Sequence, residues 1–246
     1  MSHLYLDESL DLAAAAPGTL VELAGDEARH AVTVARVRAG ERIAIGDGRG
    51  TLVHGVVAST APRELALEVD EVVVEPAASP RLILVQALAK GDRDELAVQA
   101  ATELGVDAIV PWQASRCVTQ WAGARGEKSL DKWRRTAREA AKQSRRPRVP
   151  VFAPLMSTRE VAANLAGPAM LVLHEAAEEA LATCELQDTD EFVLVVGPEG
   201  GVAEEELAAF TAAGARPVRL GAPVLRTSTA GAAALAALSL RLGRWS

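Results

Sequence analysis

The stretch VLVVGPEGG at residues 193–201 joins an apolar run directly to a glycine-rich turn, and AEEELAAFTAA follows it at 203–213. A short apolar run of this kind is typical of a buried strand, and glycines after such a strand let the backbone approach a ligand closely. The spacing matches neither GxGxxG nor GxxxxGK[ST], so a Rossmann or P-loop interpretation has no motif support. From spacing alone, a ligand-binding loop and a plain strand–turn–helix connection both stay open.

Two further apolar runs end in the same way. Residues 217–220 lead into GAPVLRTSTAG, and the run that begins at residue 169 ends in LVLHE at 171–175. Because the ligand crevice of an open α/β sheet lies at the carboxyl ends of its strands, all three loops are candidates for one site. We expect Thr227 or Ser228 to cap the final helix. His174, taken by itself, is expected to be structural.

Strands and helices alternate from residue 82 onward. The predicted strands are 82–88, 107–111, 169–174, 192–196 and 217–220, and the predicted helices are 92–104, 130–145, 203–213 and 227–242. This alternation predicts an α/β fold with a mainly parallel sheet covered on both faces.

The N-terminal part has a different pattern. Residues 41–45 and 51–57 flank the turn signal GDGRG and predict a hairpin, and residues 65–74 alternate apolar with charged side chains. One helix is predicted over 28–37, with Asp26 as its N-cap. The breaker-rich EPAASP follows, so we expect a small β-barrel domain at 1–75 and a larger α/β domain at 76–246.

The net charge of −7 argues against indiscriminate binding to nucleic acid, yet the basic residues are concentrated. Residues 125–148 hold ten Lys and Arg against three acids. The spacing of Arg134, Arg138, Lys142 and Arg145 predicts a basic stripe on the 130–145 helix, with Leu130, Trp133, Ala137 and Ala141 on an apolar face. A second patch holds Arg29, Arg36, Arg38 and Arg49. Such a distribution is typical of a polyanion-binding protein, although a basic stripe is often only a solvated face.

Other classes of protein are disfavoured by composition. Cys117 and Cys184 lie far apart without a CxxC motif, and the four histidines include no HExxH, so a metal site is not expected. No uninterrupted apolar run reaches about 18 residues, which predicts no membrane span. The first residues lack a basic leader followed by an apolar stretch. We therefore expect a cytoplasmic protein without metal.

The glycine loop GPEGG, the later LGAPVLRTSTA, the earlier LVLHE and KGDRDELAVQAATELGVDAIVP together resemble the ribosomal RNA small subunit methyltransferase E family. REAAKQSRRPRVP resembles its basic helix, and ARHAVTVARVRAGERIAIGDGRG its N-terminal PUA-like domain. The family belongs to the SPOUT class of knotted methyltransferases. The resemblance implies a homodimer that uses S-adenosylmethionine to methylate N3 of one uridine in 16S ribosomal RNA of the small subunit. Many members carry Glu at the position of Ser228.

The resemblance also implies site residues, in three loops that form a deep trefoil knot around the cofactor. Those implied for the cofactor are Leu173, His174, Glu175, Val196, Gly197, Pro198, Glu199, Gly200, Gly201, Leu220, Gly221, Leu225, Arg226, Thr227, Ser228, Thr229 and Ala230. The candidates for RNA contact are Arg29, Arg36, Arg38, Arg116, Arg134, Arg138, Lys142 and Arg145. Trp112 and Trp121 flank Arg116 and are candidates for stacking on bases, although Trp is more often a core residue.

Arg226 is the candidate catalytic residue, because a permanent cation in the cofactor loop would stabilise a uridine anion. The alternative is that Arg226 binds a phosphate or a helix carboxylate. Glu199 is expected to orient a loop rather than to act as a base, and no general base is assigned. Two other functions stay open: a SPOUT enzyme acting on a ribose 2′-hydroxyl or another base, and a non-catalytic ribosome-assembly factor. A nucleotide-dependent oxidoreductase fits the topology alone.

Overall fold

The computed structural model describes residues 3–165, 167 and 169–245. The described residues divide into two units, one from Met1–Ala77 with Ala141–Val149 and the other from Ala78–Ala140 with Pro150–Ser246. Each unit has its own hydrophobic core. Two cores mean that each unit buries apolar side chains around its own sheet.

The first unit contains a five-stranded mixed sheet. Its strands are β1 (Leu4–Leu6), β2 (Leu20–Ala24), β3 (Arg42–Gly46), β4 (Thr51–Ala61) and β5 (Glu64–Val74). Their order is β1-β3-β4-β5-β2, with β1 parallel to β3 and the other neighbours antiparallel. The predicted hairpin is confirmed as β3 and β4, and the predicted alternating strand is β5, whose Leu65, Leu67 and Val69 are buried.

A glycine allows β4 and β5 to pair closely. The register between the two strands shifts at Gly55. A Cβ at that position would lie 2.1 Å from the backbone oxygen of Glu68, which is far inside van der Waals contact. Only glycine therefore fits this irregularity of the sheet.

The helix of the first unit differs from its prediction. α1 (Gly25–Arg29) is followed by one π-helical turn at His30–Val34, and the N-cap is Ala24 rather than Asp26. Gly25 has a φ of +72° and turns the chain into the helix directly after β2, so Asp26 already lies in the first turn. The predicted helix over 28–37 is also too long, because Arg36 has a left-handed φ of +59°.

The second unit is built on a parallel sheet of seven strands. They are β6 (Arg81–Ala87), β7 (Ala108–Gln113), β8 (Val151–Phe152), β9 (Met156–Ser157), β10 (Met170–Leu173), β11 (Glu191–Val196) and β12 (Arg216–Val218). The order is β12-β10-β11-β6-β7-β8, and β9 also pairs with β7. Every pair is parallel, which confirms the predicted sheet.

Among the described residues, four helices connect strands of this sheet and a fifth follows its last strand. They are α2 (Arg93–Glu103), α3 (Gly123–Gln143), α4 (Thr158–Leu165), α5 (Glu204–Ala212) and α6 (Thr227–Arg241). α3 begins seven residues before the prediction and ends at Gln143, so Arg145 lies beyond it. The predicted apolar face of α3 is confirmed, since Leu130, Trp133, Ala137 and Ala141 are buried. In the described part of the chain, no helix is long and apolar enough to cross a membrane.

Strand order decides which loops meet. β10 lies between β12 and β11, and all three run in the same direction. The loops that follow these strands therefore leave the sheet at the same edge. These are the three loops that the sequence marked as candidates.

Candidate functional site

A cavity of about 590 Å³ lies at the carboxyl ends of β10, β11 and β12. Its size falls in the range of about 300–1,000 Å³ that is typical of small-molecule sites. Fifteen residues implied as cofactor contacts line it: Leu173, His174, Glu175, Val196, Gly197, Pro198, Glu199, Gly200, Gly201, Leu220, Gly221, Leu225, Arg226, Thr227 and Ala230. The three loops thus form one concave site.

The first loop is closed by His174. Its backbone N–H donates to the Val218 oxygen at 3.0 Å, and its ring Nδ1 accepts the N–H of Ala176 at 3.3 Å. These bonds hold the loop against β12 and shape its turn. His174 also lines the cavity, and the structural role expected for it from the sequence stays a prediction.

The second loop depends on its glycines. A Cβ on Gly197 would lie 2.9 Å from Cγ2 of Val202, so a side chain would displace the turn. Gly201 has a φ of +72° and donates its N–H to the Pro198 oxygen at 2.9 Å. The Gly200 oxygen accepts Nη1 of Arg116 at 2.9 Å. The loop is a tight turn that exposes backbone to the cavity.

Glu199 is held in place rather than left as a free base. Its Oε1 accepts the N–H of Lys90 at 3.1 Å and Nη1 of Arg93 at 3.0 Å. Burial alone would raise the pKa of Glu199, but the N–H groups of Glu199 and Lys90 and the Arg93 cation hold that pKa below its usual range. A carboxylate that stays ionised and bonded in this way can orient the loop, and that role of Glu199 stays a prediction.

Three arginines line the cavity, and they differ in what their guanidinium groups contact. Arg93 pairs with Glu199, and Nη1 of Arg219 donates to the Ala177 oxygen at 2.8 Å. Arg226 is exposed, and across the described residues its guanidinium has no hydrogen-bond or ion-pair partner. Arg226 is therefore the cation available to a bound molecule.

The start of α6 corrects one prediction. Neither Thr227 nor Ser228 caps the helix; the N-cap is Arg226, without a side-chain bond. The Thr227 hydroxyl donates to the Gly197 oxygen at 2.9 Å and is therefore turned away from the helix end. Ser228 and Thr229 lie in the first turn and are not among the cavity-lining residues.

Five lining residues were not singled out from the sequence: Arg93, Val202, Arg219, Pro223 and Val224. Arg219, Pro223 and Val224 stand within the stretches quoted for the third loop, and Val202 directly follows the glycine turn, so taking each loop whole would have found all four. Arg93 lies instead at the start of α2, just after β6. Because β6 is parallel to β11, its following loop also opens at this edge of the sheet.

The candidate RNA contacts before residue 40 lie on the surface of the first unit. Arg29, Arg36 and Arg38 are exposed. Arg49 is engaged instead, because Nη1 donates to the Glu8 oxygen at 2.8 Å and Nη2 donates to the Leu10 oxygen. Arg49 therefore supports the backbone of the N-terminal segment.

The single basic stripe predicted for the 130–145 helix is not observed. Nζ of Lys142 forms a 2.8 Å ion pair with Glu27, in which the two side chains are only 8% and 11% exposed. Arg134 pairs with Asp131 at 3.0 Å, Arg138 is half-buried, and Arg145 has left the helix with a φ of +57°. The spacing of these residues predicted that all four lie on one face of a helix. In the structure α3 ends before Arg145, and Lys142 is buried against Glu27, so the four cations do not form one exposed stripe.

The two tryptophans beside Arg116 are packing residues. Trp112 is fully buried and meets Phe210 edge-on, with ring centroids 5.3 Å apart. Trp121 packs edge-on against Trp133 at 4.9 Å. Trp112 therefore has no face free for a base. Among the described residues, no cluster of His, Cys, Asp and Glu is arranged to hold a metal ion.

Comparison with known proteins finds RNA methyltransferase relatives for both parts of the chain. A family model for an RNA methyltransferase domain matches residues 77–239, and one for an RNA methyltransferase PUA domain matches residues 23–70. Ribosomal RNA small subunit methyltransferase E of Mycobacterium bovis is 47% identical over 233 residues, covering 93% of this chain and 89% of the relative. The Bacillus subtilis protein of the same name is 28% identical and covers 88% of each chain.

A solved structure agrees in fold over almost the whole length. Ribosomal RNA small subunit methyltransferase E from Neisseria gonorrhoeae, bound to S-adenosyl methionine, superposes with a TM-score of 0.87 at 29% identity and covers 98% of both chains. The two family models, the 47% identical relative and this structure all describe the same kind of protein. This chain therefore belongs to the ribosomal RNA small subunit methyltransferase E family of RNA methyltransferases.

Proposed function

We propose that this chain methylates N3 of one uridine in 16S ribosomal RNA of the small subunit, with S-adenosylmethionine as methyl donor. The observation that carries the proposal is the cavity at the strand ends. Among its described lining residues, Arg226 is the arginine whose guanidinium has no hydrogen-bond or ion-pair partner. Family membership and the cofactor named for the Neisseria gonorrhoeae relative support it. The deep trefoil knot of the three loops is part of the same proposal.

The lining suits the proposed cofactor. Leu173, Val196, Leu220 and Leu225 give apolar walls, and the glycine turn at Gly197–Gly201 exposes uncharged backbone groups that can read an adenine edge. The remaining implied contacts, Ser228 and Thr229, would act only through the position of the first turn of α6. S-adenosylmethionine would supply an activated methyl group on a sulfonium.

Arg226 is proposed to act on the nucleobase. The N3 proton of uridine would pass to solvent, which leaves negative charge on the nucleobase. The N3 lone pair could then attack the methyl carbon, with the carbon–sulfur bond of the sulfonium breaking to release a neutral thioether. A guanidinium that is permanently charged and has no intramolecular partner among the described residues can stabilise that anion. Arg93 and Arg219 are less suited, because each already holds a loop in place.

RNA docking is proposed to use the N-terminal domain, residues 1–75, in addition to the catalytic domain, residues 76–246. Arg29, Arg36 and Arg38 are exposed cations that can neutralise phosphates. Arg116, Arg134, Arg138 and Arg145 remain candidates, while Lys142 is withdrawn because its ammonium is buried against Glu27. Replacing Arg29, Arg36 and Arg38 by Ala is expected to weaken RNA binding and flatten its salt dependence.

We further propose that the protein works in the cytoplasm as a homodimer, as its family resemblance implies. Light scattering over a range of protein concentrations would test the oligomeric state. A constant monomer mass would refute the dimer and leave the methylation proposal unaffected.

Methyl transfer can be tested directly. The protein is incubated with labelled S-adenosylmethionine and either small ribosomal subunits or naked 16S RNA, and the digested nucleosides are identified by mass spectrometry. We expect label in 3-methyluridine and a loss of about 10²–10³-fold in kcat for Arg226→Ala, the size typical of a removed charge-stabilising donor. The matched control is Arg159→Ala, which removes an exposed arginine of α4.

Each result of this experiment bears on a different part of the proposed function. Label in a 2′-O-methylated nucleoside or another base would replace the proposed position and leave the cofactor proposal standing. Binding of S-adenosylmethionine without transfer to either RNA would favour an assembly factor. Equal kcat for Arg226→Ala and Arg159→Ala would refute the role of Arg226.

A further inference from the structure

Gln86 is a buried polar residue in a strand whose other buried residues are apolar. It is the penultimate residue of β6, is fully buried, and pairs in register with Val196 of β11. Burying a primary amide is unfavourable unless its polar atoms are hydrogen-bonded. The hydrogen bonds of the Gln86 amide therefore decide whether its burial is tolerated.

The Gln86 amide bonds to the start of α6. Its Nε2 donates to Oγ1 of Thr227 at 2.9 Å and to the Ala87 oxygen at 3.1 Å. Thr227 is itself buried, and its hydroxyl donates to the Gly197 oxygen at 2.9 Å. These bonds form a relay from the end of β6, through the first residue of α6, to the first residue of the glycine turn.

The chemistry of the relay explains why a donor is needed at position 86. A hydroxyl has a single proton, and Thr227 gives it to Gly197. Oγ1 can then only accept, and the Gln86 amide supplies the donor. Thr227 thus lines the cavity without a proton to offer a bound molecule, and its role is to attach α6 to the glycine turn.

Two further observations favour a positioning role over a purely structural one. Oε1 of Gln86 is buried and has no hydrogen-bond partner among the described residues. An apolar side chain at position 86 would avoid this unfavourable burial of an oxygen, so stability alone does not explain the amide. α6 also lies very close to the sheet, because a Cβ on Gly231 would be 3.3 Å from Leu84 and 3.4 Å from Val196. α6 is therefore held near its start at Thr227 and again one turn later at Gly231.

We propose that Gln86 is a positioning residue for methyl transfer: through Thr227 it fixes the first turn of α6 on Gly197, and so fixes Arg226 relative to the glycine turn. Arg226 directly precedes Thr227 and is the N-cap of the same helix. The inference rests on the proposed function, since it assigns a role in that reaction.

The test breaks the relay from both ends. Gln86→Met keeps the length of the side chain and removes the donor, and Thr227→Val keeps the shape and removes the hydroxyl. For each we expect kcat to fall by about tenfold, the effect of roughly one hydrogen bond, with the KM for RNA within about twofold of wild type. Gln99→Met, which removes an exposed amide on α2, is the matched control.

A double-variant cycle separates positioning from simple destabilisation. Gln86→Met in the Thr227→Val background should cost little further kcat, because the relay is already broken, whereas independent damage would multiply. If Gln86→Met does not fold, the kcat of Thr227→Val is compared with that of Gln99→Met, and equal values would overturn the inference. A kcat for Gln86→Met equal to that of Gln99→Met, or fully multiplied losses in the double variant, would overturn the inference. Failure of the wild type to transfer methyl to RNA would instead overturn the proposed function.

Discussion

Glu206 is the residue whose replacement gives the sharpest test of how the second unit is held together. Its carboxylate is buried in the first turn of α5 and accepts three hydrogen bonds. Oε1 accepts Ser115 N at 2.8 Å and Oγ1 of Thr158 at 2.7 Å, and Oε2 accepts Ala203 N at 3.2 Å. Trp112 Nε1 in turn donates to Oγ1 of Thr158 at 3.1 Å. One side chain thus joins the loop after β7 to α4 and to the entry of α5.

The size of the effect of Glu206→Leu follows from these bonds. The buried N–H of Ala203 would lose its partner, which costs about 1–3 kcal/mol, while the partly exposed N–H of Ser115 can be hydrated at smaller cost. Loss of a carboxylate from the first helical turn adds about 0.3–1 kcal/mol. Relief of the buried charge offsets part of this sum. We therefore expect a loss of about 3 kcal/mol, equivalent to a fall in Tm of about 6–12 °C in a unit of this size.

Urea and thermal unfolding followed by circular dichroism would measure this loss. Glu206→Gln keeps one acceptor oxygen and should lose about half as much. Glu205→Leu, which changes an exposed neighbour on the same helix, should stay within about 0.5 kcal/mol of wild type. Equal stabilities for Glu206→Leu and Glu205→Leu would refute the argument that this carboxylate is a structural hub.

Three further predictions concern other buried groups. Burial raises the pKa of Asp94 from 3.8 to about 6, so the folded state holds this proton more tightly than the unfolded state does. The free energy of unfolding should therefore fall by up to about 3 kcal/mol as the pH rises from 3.8 to about 6. Urea unfolding of Asp94→Asn should lack this decrease, and the same pH dependence in wild type and variant would contradict the prediction. Gly55→Ala should destabilise the first unit by about 4 kcal/mol, because the alanine Cβ would lie 2.1 Å from the backbone oxygen of Glu68. Thermal unfolding measures this loss. A melting curve like that of wild type would show that the two strands can separate to admit the methyl group. Lys142→Met should cost about 1–3 kcal/mol, because it removes one cation from the buried Glu27 carboxylate, which still accepts the Leu6 N–H at 3.3 Å. Adding Glu27→Gln should recover part of this loss. Thermal unfolding measures both variants, and a loss below about 0.5 kcal/mol would contradict the prediction.

The parts of the fold that could be predicted from the sequence are those whose signals are local. The apolar run before Gly197 marked β11, and the turn GDGRG marked the β3–β4 hairpin. A run of apolar residues seeks burial, and a glycine permits a turn, whatever lies elsewhere in the chain. Short elements such as α4 and β9 have no such signal, because a few residues do not establish a period.

For the same reason, the sequence alone determined the order of β6, β7, β10, β11 and β12 with α2, α3, α5 and α6, and the three loops after β10, β11 and β12. Each loop is a contiguous stretch whose residues need only their neighbours to form it. The tertiary structure alone decided which polar groups meet across long separations. It buried Lys142 against Glu27, brought Arg93 into the cavity, joined Gln86 to Thr227 and left Arg226 exposed without a partner among the described residues. The partners of a charge or an amide depend on distance through space, and that distance is set only when the sheet and helices have packed.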